Sequence, residues 1–76
     1  MHFTNIKRRK IHEDVAEQIE NQIINGSLKE GYYLPSEREL MEVFNVGRPA
    51  VREAILLLQR NGFILVGSSG RPMVCK

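Results

Sequence analysis

The run Leu34-Pro35-Ser36-Glu37-Arg38-Glu39-Leu40, with Arg48-Pro49-Ala50-Val51-Arg52-Glu53-Ala54 beginning eight residues beyond Leu40, constrains this chain more than any other feature. Ser36 is followed three positions later by Glu39, the pattern of a capping box, and Pro35 before it favours an extended approach to a helix. Asn45-Val46-Gly47 then leaves room for a tight turn only. Pro49 suits the first turn of a further helix, where its missing amide hydrogen costs nothing. That leaves two helices joined by a short turn. The second opens with Arg48 and Arg52, four positions apart and therefore on one face. A pair of guanidinium groups on the first turns of such a helix suits the acceptor-rich edge of a DNA major groove.

The flanking sequence completes a small domain. From Ile11 the apolar residues recur at Val15, Ile19, Ile23 and Ile24, with Ala16 beside them, and this stripe predicts an amphipathic helix over about residues 10–25, closed by Asn25-Gly26. Its other face carries Glu13, Asp14, Glu17, Gln18, Glu20 and Asn21. Residues 27–35 read as a loop in which Tyr32-Tyr33-Leu34 could add a short bridge to a sheet. The second helix is expected to bury Leu40, Met41, Val43 and Phe44. At about nine residues it is too short to be stable without tertiary packing. Val46 is expected to plug the space between the two helices, and Gly47 to supply turn torsions that other residues avoid. The third helix runs through Val51, Ala54, Ile55, Leu57 and Leu58 to Asn61-Gly62, and its stretch Ala54-Ile55-Leu56-Leu57-Leu58, apolar on nearly every face, is expected to be central to the core.

Phe63-Ile64-Leu65-Val66, the turn Gly67-Ser68-Ser69-Gly70 and Arg71-Pro72-Met73-Val74-Cys75 read as a β-hairpin, with Pro72 implying an edge position. Three helices followed by a C-terminal β-hairpin wing make an α+β winged helix-turn-helix. Residues 10–76 form that domain, and residues 1–9 form a basic N-terminal arm.

Charge is segregated along the 76 residues. Residues 1–12 carry +4, residues 13–47 carry −6, and residues 48–76 carry +4, leaving +2 overall. Both ends are thereby suited to a polyanion. A solvated tail, with surface arginines elsewhere, is the plainer alternative. The single Cys75 has no partner for an internal disulfide, which suits a reducing cytoplasm. No apolar run is long enough to span a bilayer. Nothing resembles a catalytic triad, a metal-ligand spacing or a phosphate loop: His2 and His12 stand apart from any such pattern. The expectation is a binding domain without enzymatic activity, metal or cofactor.

The chain resembles the N-terminal DNA-binding domain of GntR-type bacterial transcriptional regulators, and the wording around its turn is similar to the FadR-like branch. The resemblance runs through Gly26, Gly31, residues 34–40, Phe44, Val46, Arg48, residues 51–54, Leu58, Gly62, Gly70 and Val74, in order and without gaps. It implies a repressor or activator that binds a palindromic double-stranded DNA operator as a homodimer. It also implies a C-terminal domain, outside this chain, that binds a small-molecule effector and supplies most dimer contacts. Two positions depart from the common pattern. Gly47 stands where many members have Ser or Thr, and Pro49 where a polar residue is frequent. Both departures bear on which operator is read.

The expected DNA-contacting residues are Ser36, Arg38, Gly47, Arg48, Pro49, Ala50, Arg52, Gly70 and Arg71. Arg48 suits a guanine edge, and Arg52 a base or flanking phosphate; its alternative is a surface pair with Glu37 or Glu39. Arg38 is a DNA contact on the resemblance, or a salt bridge within the helix pair. Ser36 serves first as a cap. Gly70 and Arg71, at the wing tip, suit a phosphate or a narrow minor groove, unless the glycine serves its turn alone. Lys7, Arg8, Arg9 and Lys10 suit an arm along the phosphate backbone or a solvated tail. Two rival readings remain: a winged helix that docks an acidic protein partner, and a DNA binder without sequence preference.

Overall fold

The computed structural model describes residues 10–76. Helix α1 covers Ile11–Ile24, α2 covers Glu37–Phe44 and α3 covers Arg48–Arg60. Strands β1 (Ile64–Val66) and β2 (Pro72–Val74) pair antiparallel, with Ile64 opposite Val74 and Val66 opposite Pro72. This is the winged helix-turn-helix expected from the sequence, and the arm at residues 1–9 lies outside the described residues.

α3 is the central element. It packs against α1 on one side, α2 on another and the wing beyond. Val51, Ala54 and Leu58, spaced at three and four residues, form its buried stripe. They meet Val15, Ala16, Ile19 and Ile23 from α1, Leu40 from α2, and Ile64 and Val74 from the strands. Leu34, just before Pro35, is also buried and anchors the loop ahead of α2. Leu34, Val51, Leu58 and Val74 are the largest fully buried side chains.

Several apolar residues expected inside lie outside. Ile11 and Ile24 flank the α1 stripe rather than belonging to it, and both are exposed. Val43 is 72% exposed. At 100° per residue Leu40, Met41 and Phe44 share one side of α2, and Val43 projects well away from their centre. Leu56 is exposed for the same reason on α3, between the buried Ala54 and Leu58.

Local signals set the element ends. Ser36 Oγ accepts from the Glu39 amide at 3.1 Å, and the Ser36 amide donates to Glu39 Oε1 at 3.4 Å, which closes the expected capping box. α1 and α3 stop where Gly26 (φ 86°) and Gly62 (φ 80°) enter the left-handed region. The turn between α2 and α3 departs from expectation. Asn45, not Gly47, takes the left-handed conformation (φ 54°), as asparagine tolerates. Gly47 is extended (φ −80°, ψ 168°) and caps α3 without a side-chain hydrogen bond. Val46 packs against the core as a partly buried plug.

The loop ahead of α2 runs along the outer side of β2. Val74 N–H donates to the Tyr32 carbonyl at 2.8 Å, Gly31 N–H donates to the Val74 carbonyl at 2.7 Å, and Leu34 N–H donates to the Pro72 carbonyl at 2.9 Å. Tyr33 bridges Met73 across the same seam, the short bridge expected from the Tyr32-Tyr33-Leu34 run. The edge position expected of Pro72 is therefore partly covered. Its missing amide hydrogen falls on the loop-facing side, at the end of the seam where the chain turns away into Pro35.

Candidate nucleic-acid interface

The start of α2, the start of α3 and the wing meet at one surface. Each is brought there by a feature already described. The capping box begins α2 at Glu37, the Asn45 turn delivers the first residues of α3, and the loop seam fixes the wing beside them.

Arg48 and Arg52 lie on one side of α3, and Glu37 stands between them from α2. Glu37 Oε1 is 3.4 Å from Arg48 Nε, and Oε2 is 3.2 Å from Arg52 Nε. The arginine side chains remain 53% and 62% exposed. The alternative of Arg52 pairing with Glu37 is thus realised, and Arg48 shares the same carboxylate. Pairing does not withdraw either group from the surface. Exposed ion pairs contribute about 0–1 kcal/mol, less than the roughly 1–3 kcal/mol of a bidentate guanine contact.

Arg38 points into solvent from the first turn of α2 and lies 3.8 Å from Glu42, one turn along the same helix. The salt-bridge alternative for Arg38 therefore takes the form of a local i,i+4 pair, not a link between the two helices. Ser36 is exposed and engaged in its cap, its hydroxyl also donating to Glu39 Oε1 at 3.1 Å. Gly47 and Pro49 are exposed at the start of α3, and Ala50 is half-buried behind them.

A groove of about 630 Å³ runs between α3 and the wing. Glu37, Arg52, Gly70 and Arg71 line it, with the apolar Ile55 and Leu56 among the residues of its floor. Gly70 has φ 79° at the end of the turn that closes the hairpin. Arg71 lies over the ring of Tyr33, 4.7 Å from its centroid. The groove therefore joins Arg52 to the wing arginine, and Glu37 links Arg52 in turn to Arg48. Of the residues lining it, the sequence pointed to Ser36, Arg52, Gly70 and Arg71, but gave Glu37 only a secondary part and Tyr33 none at this face. Glu37 carried a signal, since it occupies the first position of a helix that must cross the start of the next. Tyr33 carried none, because its contact crosses from one loop to the wing.

The opposite surface is different in character. A shallower depression between α1 and α3 is lined by Glu13, Glu17 and Glu20, with Asn61 donating to Glu20 at 3.5 Å. Among the described residues, no group of three or more His, Cys, Asp or Glu side chains is arranged to hold a metal ion. Among the same residues, no helix is long and apolar enough to cross a membrane.

Comparisons with known proteins agree with this architecture. Residues 11–72 match the family described as bacterial regulatory proteins, gntR family. An HTH-type transcriptional repressor NanR from Klebsiella aerogenes is 46% identical over 71 residues, which is 93% of this chain and 27% of that protein. The chain thus spans about a quarter of the length of the curated relatives it matches. Among solved structures, YtrA from Sulfolobus acidocaldarius, a GntR-family transcription factor, superposes with a TM-score of 0.83 at 36% identity, covering 92% of this chain and 73% of that one. AraR(DBD) in complex with an operator gives a TM-score of 0.82 at 27% identity, covering 99% and 90% of the two chains.

Proposed function

The chain belongs to the gntR family of bacterial regulatory proteins, and from that premise we propose that it is the sequence-specific DNA-binding domain of a transcriptional regulator. The observation that carries the reading is the single exposed face on which Arg48, Arg52 and Arg71 adjoin one groove or share one carboxylate. The start of α3 enters the major groove. Arg48 contacts a guanine edge, and Arg52 a base or the flanking phosphate. Arg38, Ser36, Gly47, Pro49 and Ala50 lie along the adjoining backbone. One sugar-phosphate strand crosses the groove between α3 and the wing, and Gly70 and Arg71 meet the minor-groove side of it. Phosphate contacts supply much of the affinity and make it salt-dependent, while base-edge contacts supply selectivity.

The whole regulator binds a palindromic operator as a homodimer, with a small-molecule effector held by a domain outside this chain. Support for this comes from the much greater length of the relatives and from the repressor activity in the name of the NanR proteins. The 76-residue chain alone binds a half-site weakly, because a linked second domain provides avidity. The rival reading, docking of an acidic protein, is less well supported by a face whose arginines adjoin a cleft open at the wing.

A gel-shift series tests the proposal. Binding to a palindromic duplex and to its scrambled counterpart is compared at two salt concentrations, for the wild type and Arg48→Ala. The wild type is expected to prefer the palindrome, and Arg48→Ala to lose that preference while still binding both duplexes at low salt. Equal wild-type affinity for the two duplexes overturns sequence specificity, and binding to neither at low salt overturns DNA binding itself.

A further inference from the structure

The carboxylate of Glu37 sits between Arg48 and Arg52 on the face assigned to DNA, which runs against attraction for phosphates. Neither its ion pairs nor its place in the first turn of α2 contributes more than about 1 kcal/mol to folding. Its two oxygens are divided between two partners, Oε1 toward Arg48 Nε at 3.4 Å and Oε2 toward Arg52 Nε at 3.2 Å. Each guanidinium is therefore approached at its Nε edge. A guanine is read end-on by the paired Nη nitrogens, through N7 and O6. A side chain fixed at Nε keeps that end for the base.

We infer that Glu37 is a specificity-determining positioning residue, which orients the guanidiniums of Arg48 and Arg52 and offsets one of their two charges. Two mobile arginines on a helix would bind phosphates of any sequence. With Glu37 between them, the trio presents a net charge of +1 in place of +2 and a restricted pair of orientations. Non-specific attraction falls, and the base contact, which depends on orientation, is retained. Discrimination between DNA sequences therefore rises at some expense in affinity. The inference rests on the DNA-binding reading above.

The test uses the wild-type chain, Glu37→Gln and Glu37→Asp. The probes are the duplex that the wild type enriches from a randomised pool and a scrambled duplex of the same composition. Affinities are measured from about 50 to 200 mM salt, the range over which phosphate contacts are strongly screened. Glu37→Gln is expected to bind the scrambled duplex about tenfold more tightly at the low-salt end, with a slope of log affinity against log salt steeper by about 0.9. Its ratio of selected to scrambled affinity is expected to fall by about tenfold, within the range of a single bidentate contact. Glu37→Asp keeps the charge but is too short to hold both groups, so the slope stays near that of the wild type while the ratio falls.

Circular dichroism melting verifies the fold of each variant, and if Glu37→Gln does not fold, the ratio measured for Glu37→Asp decides the question. Unchanged slope and ratio in Glu37→Gln, or weaker binding to scrambled DNA, would overturn the role of Glu37. So would an unchanged ratio in Glu37→Asp. A wild type that enriches no sequence overturns the DNA-reading proposal instead, which keeps the two failures distinct.

Discussion

The guanidinium of Arg71 lies over the ring of Tyr33, 4.7 Å from its centroid, so the wing is tied to the loop that leads into α2. The backbone of Tyr33 also bridges Met73, one residue beyond Pro72. Side chain and backbone thus hold the wing against the helix-turn-helix at neighbouring points. A wing fixed in this way meets a DNA strand at a set distance from α3, which a free hairpin would not do.

Tyr33→Ala removes the ring and leaves the backbone seam. An exposed cation–π contact is worth about 0.5–1 kcal/mol, so a stability loss of that order is expected in urea unfolding. The amides of residues 67–71 are also expected to show lower NMR order parameters. Unchanged order parameters would mean that the seam alone holds the wing.

Arg71→Ala is expected to weaken binding to selected and scrambled DNA alike and to reduce the salt slope by about 1, as loss of one phosphate contact does. A change in sequence preference without a change in slope would give Arg71 a base-reading role. Titration of the variant at several salt concentrations separates the two results.

The N-terminus of α3 offers a gain in stability. Gly47 is extended like a regular cap residue but has no side chain to accept from the helix amides. A Cβ placed there meets only Pro49 Cδ at 3.5 Å, an ordinary contact. Gly47→Ser is expected to stabilise the domain by a few tenths of a kcal/mol, the usual difference between serine and glycine at this position. Paired urea melts check this, and destabilisation would show that the turn requires glycine.

Core and surface substitutions distinguish the two sides of the helices. Leu58→Ala empties a fully buried site and is expected to cost about 2–5 kcal/mol. Val43→Lys changes an exposed residue and is expected to stay within about 0.5 kcal/mol of the wild type. Equilibrium unfolding of both reports the contrast, and a large loss in Val43→Lys would place Val43 in the core after all.

Much of this arrangement was legible in the sequence, because its determinants are local. Ser36 and Glu39 announce a helix start through their own hydrogen bonds, and Asn25-Gly26 and Asn61-Gly62 mark stops by backbone preference. The shared face of Arg48 and Arg52 follows from helical spacing alone. What was not legible depends on contacts between elements. Either Asn45 or Gly47 could have taken the left-handed place in the turn, and only the helix crossing decides in favour of Asn45. Hydrophobicity alone could not separate Val43 and Leu56 from their buried neighbours. The double grip of Glu37 needs α2 and α3 at their final angle, and the Arg71–Tyr33 contact joins residues far apart in the chain.

The most direct measurement is NMR titration of the isotope-labelled chain with the duplex it enriches from a randomised pool. The account predicts that the largest amide shift changes fall on residues 36–38, 47–52 and 69–71, with the acidic side of α1 nearly silent. Changes centred on Glu13, Glu17 and Glu20, or spread evenly over the domain, would contradict the assignment of the α2–α3–wing face to DNA.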